Sequence, residues 1–308
     1  MSFAQRASAL GRLRSRSKVA PPPIALSPAS WGVSDLADWG LQLEAERVLS
    51  EAAALRVPAI EAGPSGFLPD RSEEARALVK RHRLRIVAGS VDAVLHHHDI
   101  RGPELFYIDG HASWLAALGA EMLVLTAIPS RDGELPERME LTSTGWAHVL
   151  HSIGSVEHVC ARHRLRLAVQ PRFGSVIQRP ADIERLLVGC EAGVCLDVAH
   201  LLLAGADPID VLELAAGRIQ HVHISDIDQD LARDVRERNL DYVAAVNNSL
   251  FKPLGTGDAD IERVVEALRR SGYRGWYTIE TERRLASLDD RPLGGVSRSL
   301  EYLRPLLA

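Results

Sequence analysis

The chain has 308 residues, of which 46% are hydrophobic and 25% charged, and its formal net charge is −5. This composition is typical of a globular protein, and the acidic balance argues against a nucleic-acid-binding protein held by overall charge. No apolar run approaches the about 20 residues that a membrane-spanning helix needs, so we expect no membrane partner. The three cysteines, Cys160, Cys190 and Cys195, form no CxxC pair, and no secretory signal precedes them, which favours the reducing cytoplasm.

The first 20 residues are basic, contain no acidic residue and precede three consecutive prolines at 21–23. We predict a flexible arm over residues 1–20, and a transit peptide is the alternative. The remainder, residues 21–308, shows no linker and is predicted to be a single catalytic domain.

Eight short apolar runs follow along the chain, and segments with helical spacing of apolar residues separate them. The runs cover residues 24–31, 57–63, 84–90, 122–128, 165–171, 193–199, 218–225 and 276–280. The predicted helices cover residues 41–55, 72–82, 112–118, 143–164, 181–187, 208–216, 261–271 and 296–306. Near-continuous apolar strands suit a parallel sheet buried on both faces, and eight strand–helix repeats predict an α/β fold, a single (β/α)8 TIM barrel. A doubly wound open sheet is the alternative, but no glycine-rich turn follows the first run.

Three runs in the last third of the chain end in a residue that commonly binds metal. CLDVAH presents Asp197, HVHISD presents His223 and WYTIE presents Glu280. Each residue alone also fits a structural role: a hydrogen bond to a neighbouring strand, a core histidine and an ion pair with an arginine. Because the chemistry of a TIM barrel lies at the C-terminal ends of its strands, the three together predict a site for one divalent ion, Mn, Co, Mg or Zn.

Other polar residues near strand ends are candidates for proton transfer or substrate binding. Glu61 is a candidate base or hydroxyl-binding group, with a salt bridge at the barrel rim as the alternative. His200, three residues after Asp197, is a candidate acid, base or substrate ligand, with a place in the first turn of a helix as the alternative. Trp31 is a candidate to stack on the apolar face of a polyol ring, although a tryptophan more often simply packs in the core. The three histidines at 96–98 are interpreted as a solvated loop, because consecutive residues cannot all face one ion.

At these residues the chain resembles the xylose-isomerase-like barrel family of sugar phosphate isomerases and epimerases, and within it the inosose dehydratase branch. The segments that carry the resemblance include SPASWGVSDL, CLDVAHLLLAGADP, RIQHVHISDI and FKPLGTGDADIERVVEALRRSGYRGWYTIE. The resemblance implies one divalent metal ion held by Gln170, Asp197, His223 and Glu280. The candidate catalytic residues are Glu61, His200 and Glu280. The candidate substrate-binding residues are Trp31, Arg172, His200 and Glu282.

Two positions depart from the family pattern. The family usually has Glu or His where this chain has Gln170, and a stretch that normally resembles HPHxGT reads QPRFGS. Gln170 still offers a carbonyl oxygen, but as a neutral and weaker ligand. The usual HLKD reads HISD, so Ser225 replaces a lysine. These changes imply an altered substrate, weaker metal binding or a degenerate enzyme.

The resemblance implies a cytoplasmic isomerase, epimerase or dehydratase that acts on a small polyol ketone or ketose through a metal-stabilised enediolate. Reprotonation at another carbon gives isomerisation or epimerisation, and loss of a β-hydroxyl gives dehydration. One alternative is a non-catalytic barrel that binds a polyol or sugar. Another is an endonuclease IV-like DNA-repair enzyme, against which the acidic pI and the neutral Gln170 count. Barrels of this kind often form homo-oligomers, but the sequence indicates no interface.

Overall fold

The computed structural model describes residues 23–34, 36, 38–131, 139–215 and 217–308. The predicted N-terminal arm, residues 1–20, lies outside the described residues. The strands of the described chain are β1 Ile24–Leu26, β2 Ala59–Ile60, β3 Arg85–Ile86, β4 Ala88–Ala93, β5 Met122–Ala127, β6 Arg166–Val169, β7 Gly193–Asp197, β8 Ile219–Ile224, β9 Asp226–Ile227, β10 Phe251–Lys252 and β11 Tyr277–Ile279.

Nine strands form one parallel sheet in the order β3-β2-β1-β11-β8-β7-β6-β5-β4. The two ends of this order, β3 and β4, are parts of a single apolar run that is interrupted at Val87. The Val87 N–H donates to Ile60 O at 3.2 Å, and Val87 O accepts from the Glu121 N–H at 3.0 Å. The sheet therefore closes on itself through the third run. The prediction of a TIM barrel is confirmed, with the third run split between two neighbours.

The helices are α1 Ala45–Ala54, α2 Ser72–Arg81, α3 Arg101–Leu118, α4 Ser143–Arg162, α5 Pro180–Gly189, α6 Val198–Leu203, α7 Pro208–Leu214, α8 Gln229–Arg236, α9 Tyr242–Asn247, α10 Ile261–Arg270 and α11 Leu293–Leu306. All eight predicted helices are present. The third was predicted too short, because Gly102, Pro103 and Gly110 obscure its first half. Proline is tolerated in a first helical turn, and a single interior glycine costs only about 1 kcal/mol. Within the described residues no helix is long and apolar enough to cross a membrane.

Apolar packing fills the barrel near the N-terminal ends of its strands. The side chains that form this packing are mostly small, and they come from successive strands: Ala25, Ala59, Val87, Ala88, Met122, Val124, Ala168, Cys195 and Trp276. Because this end is filled, the C-terminal end of the barrel is where a site can open.

A smaller apolar cluster lies beside the C-terminal ends of β7 and β8. The helices α6, α8 and α9 and the antiparallel pair β9–β10 build it around Trp39, Tyr242 and Phe251. Apart from a possible first helical turn at His200, none of these elements was predicted from the sequence. Helix α6 begins directly after β7, where the Asp197 side chain caps it by accepting the His200 N–H.

Candidate metal centre and substrate cavity

The predicted ligands Asp197, His223 and Glu280, here called the inner cluster, lie at the ends of three adjacent strands, β7, β8 and β11. All three are buried, and one ligand atom from each lies within 4.8 Å of the others. His223 Nδ1 lies 3.4 Å from Asp197 Oδ2 and 3.6 Å from Glu280 Oε1. The structure therefore brings together the three residues that the strand ends indicated.

The other face of His223 meets Glu61. Glu61 Oε1 lies 3.1 Å from His223 Nε2 and 2.7 Å from His221 Nε2. When His223 carries its proton on Nε2 and donates it to Glu61, Nδ1 keeps a lone pair that faces the inner cluster. Carboxylates orient metal-binding histidines in this way. Burial raises the pKa of Glu61, but the neighbouring His223 and His221 outweigh burial and hold that pKa well below its usual range.

Gln170 lies at the end of β6, next to the inner cluster. Its Nε2 donates to Asp197 Oδ2 at 2.8 Å and lies 3.2 Å from His223 Nδ1, while Oε1 accepts from Thr126 Oγ1 at 3.4 Å. The amide nitrogen, not the oxygen, thus faces the inner cluster. Gln170 as an oxygen ligand stays a prediction, and it requires the amide to rotate by half a turn.

The chemistry of the inner cluster fits a divalent cation. Two carboxylates and one imidazole nitrogen point at a common centre, and the Glu280 carboxylate makes no hydrogen bond to the described residues. Burial raises the pKa of Glu280, His223 lowers it, and the carboxylates of Asp197 and Glu61 raise it further. A cation at the common centre would give the two carboxylates a positively charged partner besides the His223 ring. Oxygen and nitrogen donors of this type suit Mn, Co, Mg or Zn.

A second group of polar residues, here called the outer network, surrounds Glu282. Glu282 Oε1 lies 2.8 Å from His200 Nε2 and 3.2 Å from Arg172 Nη2, and Tyr242 Oη donates to Oε2 at 2.6 Å. Burial raises the pKa of Glu282, but Arg172 and His200 outweigh burial and bring it to about 2. Arg172 Nη1 also lies 3.8 Å from Asp92 Oδ2. The sequence analysis missed Tyr242, because it lies in a connection that shows no strand-end signal.

Asp197 belongs to the inner cluster and is itself held by hydrogen bonds from His200 and Ser225. Its Oδ1 accepts the His200 N–H at 3.2 Å and the Ser225 hydroxyl at 3.0 Å, and Ser225 Oγ accepts the Ala199 N–H at 2.8 Å. Burial raises the pKa of Asp197, whereas His200 and His223 lower it well below its usual range. Ser225 is therefore a buried hydrogen-bonding residue that holds a predicted ligand in place.

Both groups meet at one cavity at the C-terminal end of the barrel. The predicted site residues that line it are Glu61, Gln170, Arg172, His223, Glu280 and Glu282. The prediction that Trp31 stacks on substrate is wrong. Trp31 is fully buried, and its indole N–H donates to Glu51 Oε2 at 2.8 Å, whereas Trp39 lines the cavity. The short 3-10 turn Pro28–Trp31 sets the direction of the indole, and no sequence pattern encodes that direction.

The prediction of a solvated histidine loop is confirmed for two of its three members. His97 and His98 are exposed, but His96 is buried, and neither of its ring nitrogens has a hydrogen-bond partner among the residues that the structure describes. Burial lowers the pKa of His96, and neighbouring His97 lowers it further. His96 is therefore held as a neutral core residue.

The fold and the site together define a (β/α)8 barrel with a candidate divalent-metal centre at its C-terminal mouth. The chain belongs to the xylose isomerase-like TIM barrel family, whose sequence profile matches residues 49–306.

Named relatives bear out this assignment. The rhizopine catabolism protein MocC of Rhizobium meliloti is 28% identical over 266 residues, which cover 84% of this chain and 81% of that protein. An inosose dehydratase of Geobacillus kaustophilus (strain HTA426) is 25% identical over 274 residues, which cover 86% of this chain and 88% of that protein. The predicted resemblance to the inosose dehydratase branch is confirmed, and so is the prediction of an enzyme of the isomerase, epimerase or lyase type.

Solved structures share the fold. A D-psicose 3-epimerase of Clostridium cellulolyticum H10, solved with D-tagatose, has a TM-score of 0.69 at 16% identity and covers 92% of this chain and 99% of that chain. The IOLI protein, solved with a bound zinc atom, has a TM-score of 0.67 at 14% identity and covers 92% of this chain and 98% of that chain. At such low identities these likenesses concern the fold alone.

Proposed function

We propose that this protein is a divalent-metal-dependent isomerase, epimerase or dehydratase that acts on a small polyol ketone or ketose. The observation that carries the proposal is the convergence of Asp197, His223 and Glu280 within 4.8 Å at the open end of the barrel. The relatives named as inosose dehydratases and the solved epimerases support both reaction types. The two types share a first step, which is removal of a proton beside a carbonyl group.

In this proposal Asp197, His223 and Glu280 hold the ion, and Gln170 adds a neutral oxygen once its amide has rotated. A bound divalent ion supplies Lewis-acid polarisation of a substrate carbonyl. Glu61 fixes the His223 ring by accepting its Nε2 proton. The zinc atom in the IOLI protein supports an ion in a barrel of this fold.

Proton transfer is assigned to Glu61. One of its oxygens is held by His221 and His223, while Oε2 makes no hydrogen bond within the described chain, and Glu61 lines the cavity. The carboxylate is thereby oriented and kept ionised with one oxygen open to a substrate proton, and because its low pKa makes it a weak base, this transfer requires a polarised substrate carbonyl. His200 contacts Glu282 at 2.8 Å, so its role here is to hold that carboxylate.

Substrate hydroxyl groups are assigned to Glu282 and Arg172 at the cavity wall. Glu282 already accepts from three donors and is held as an anion, so it is placed to accept from a hydroxyl. Arg172 donates to it and lines the same cavity. We further propose that the protein acts in the cytoplasm on a polyol or sugar, without nucleic acid or membrane as partner.

One observation favours a second function, a non-catalytic barrel that binds a polyol or sugar. The Gln170 amide nitrogen donates to Asp197 Oδ2 at 2.8 Å, so a neutral donor faces the position that a metal ligand would occupy. If the amide does not rotate, metal binding weakens while the cavity remains able to bind a neutral polyol.

The test is metal analysis of protein purified without a histidine tag, followed by turnover assays on inososes and ketohexoses. We expect about one equivalent of divalent ion in the wild type and none in Asp197→Asn. This variant keeps a cap for α6, because asparagine also accepts a backbone N–H. The control is Asp207→Asn, which alters the cap of α7, where Asp207 Oδ1 accepts the Ile209 N–H at 2.7 Å. A polyol-binding wild type with no ion after incubation with Mn or Co would establish the binding protein instead.

A further inference from the structure

Arg283 is a cation at the cavity that none of the roles above uses. It directly follows Glu282 and lines the same cavity as Glu280. Its Nε is buried without a hydrogen-bond partner, and its guanidinium makes no hydrogen bond or ion pair with the residues that the structure describes. A partly buried charge without a partner is unfavourable, so this position calls for an anion from outside the chain.

Each neighbouring arginine makes at least one hydrogen bond or ion pair, although Arg284 Nε, like Arg283 Nε, is buried without a hydrogen-bond partner among the described residues. Arg172 Nη2 lies 3.2 Å from Glu282, Arg131 Nε lies 2.8 Å from Glu104 Oε1, and Arg284 Nη2 donates to Asp38 O at 2.9 Å. Arg283 therefore differs from its own neighbours, even though all of them have the same side chain.

No nearby carboxylate takes the place of such a partner. Burial lowers the pKa of Arg283 and Asp290 raises it, but Asp290 Oδ2 already accepts the N–H groups of Ala286 and Ser287 at 2.8 and 3.1 Å. The first turn of α11 contains no acidic residue. The Arg283 guanidinium packs against Gly295 in that turn, where an added Cβ would lie 3.1 Å from Nη2. The other nearby charge is the cation Arg298, which lowers the Arg283 pKa.

We propose that Arg283 binds an oxyanion of the substrate, a carboxylate or a phosphate group, while the carbonyl end of the same molecule lies at the inner cluster. This inference rests on the proposed function and narrows it to acidic polyol ketones or ketoses. A guanidinium offers several N–H donors in one plane and matches both kinds of oxyanion.

The first experiment compares D-fructose, D-fructose 6-phosphate and D-fructuronate, which differ at one end of the sugar. We expect wild-type kcat/KM to be at least about 10-fold higher for one of the two anions than for D-fructose. Arg283→Gln should lose about 10- to 100-fold on that anion, the usual effect of removing a hydrogen-bonded charge, with D-fructose unaffected. Arg284→Gln is the matched control and should keep the preference, and Arg283→Lys should restore part of it. Whichever anion is preferred separates a phosphate from a carboxylate substrate.

The second experiment measures binding without turnover. Inorganic phosphate and malonate are titrated calorimetrically into the wild type, Arg283→Gln and Arg284→Gln, each checked for an unchanged melting temperature. We expect the Arg283→Gln variant alone to bind at least one anion about 10-fold more weakly. Equal anion affinity in all three proteins, or equal kcat/KM for D-fructose and both anions, would overturn the subsite and leave the proposed function standing. Arg283-dependent anion binding with no turnover and no metal would support the subsite and refute the proposed function.

Discussion

Glu280 and Glu282 leave the same strand end two residues apart, yet their surroundings are opposite. Glu282 accepts from His200, Arg172 and Tyr242, which bring its pKa to about 2. Glu280 makes no hydrogen bond to the described residues, and burial raises its pKa. The outer network is thus complete with protein groups alone, whereas the inner cluster leaves one carboxylate without a hydrogen-bond donor among the described residues. This difference indicates that the inner cluster is built for an ion and the outer network is built to stay rigid beside it.

The largest expected effect comes from removing the charge of the inner cluster. Glu280→Gln should abolish metal binding and lower turnover by about 1000-fold or more, because a ligand that faces the ion is lost. The metal-free protein should keep most of its stability, since Glu280 accepts no hydrogen bond from the described residues and loses only its ion pair with His223 at 3.6 Å. Metal analysis, kcat and the melting temperature measure the three effects. Wild-type metal content in this variant would show that Glu280 is not a ligand.

The same substitution in the outer network should have the opposite consequence. Glu282→Gln should lower the free energy of unfolding near neutral pH by roughly 3 kcal/mol, because a pKa that falls from 4.5 to about 2 on folding is worth about that much. Metal content should remain at the wild-type level. Denaturant unfolding and metal analysis of the two glutamate variants side by side would test the contrast.

The pH dependence of this effect has a defined sign. The folded pKa of Glu282 is depressed, so its stabilisation is fully present above pH 4.5 and is lost as the pH falls towards about 2. The stability difference between the wild type and Glu282→Gln should therefore shrink between these pH values. A difference that stays constant across the same range would contradict the anchored anion.

A substitution at Gln170 should have a smaller effect, on metal affinity and on the stability of the metal-free protein. Gln170→Glu replaces the amide that donates to Asp197 Oδ2 at 2.8 Å with a second negative charge. Metal affinity should rise about tenfold, and the metal-free protein should lose about 1–3 kcal/mol through repulsion of the two carboxylates. The increase of the melting temperature on adding Mn should be larger than in the wild type. An unchanged increase would indicate that Gln170 does not face the ion.

The smallest effect is expected at Ser225, which donates a hydrogen bond to Asp197 and accepts one from the Ala199 N–H. Ser225→Ala should destabilise the protein by about 1–2 kcal/mol, because the buried Ala199 N–H loses its acceptor, and it should weaken metal binding several-fold as Asp197 loosens. Ser152→Ala is the control, since Ser152 is equally buried and donates to Leu95 O at 3.2 Å away from the site. It should lower stability without a change in metal affinity.

The inner cluster was predictable because the chemistry of a TIM barrel lies at the C-terminal ends of its strands, and the sequence shows where the buried strands end. Asp197, His223 and Glu280 each follow an apolar run, and parallel strands in a barrel bring their ends together. The eight runs predicted the barrel for the same reason. The sequence could not indicate which way a side chain points when it belongs to an irregular segment. The Trp31 indole turns into the core, and Tyr242 reaches the site from a short helix in a connection without periodicity.

The orientation of the Gln170 amide was also beyond sequence reasoning, because it is set by the Thr126 hydroxyl and the Asp197 carboxylate together. The division of the third run at Val87 was hidden for a different reason. Within this run, the residues that pair with β2 and the residues that pair with β5 have the same apolar pattern, so the sequence does not show where the pairing changes.

That division leaves one side of the cavity wall without a continuous ladder. The Ala62 N–H donates to Ala88 O at 2.9 Å, and beyond this pair the described backbone forms no hydrogen bond between residues 63–65 and 90–92, although both segments line the cavity. No sheet hydrogen bond therefore joins these two segments of the cavity wall, whereas the opposite wall, where β7, β8 and β11 carry the inner cluster, is hydrogen-bonded from strand to strand.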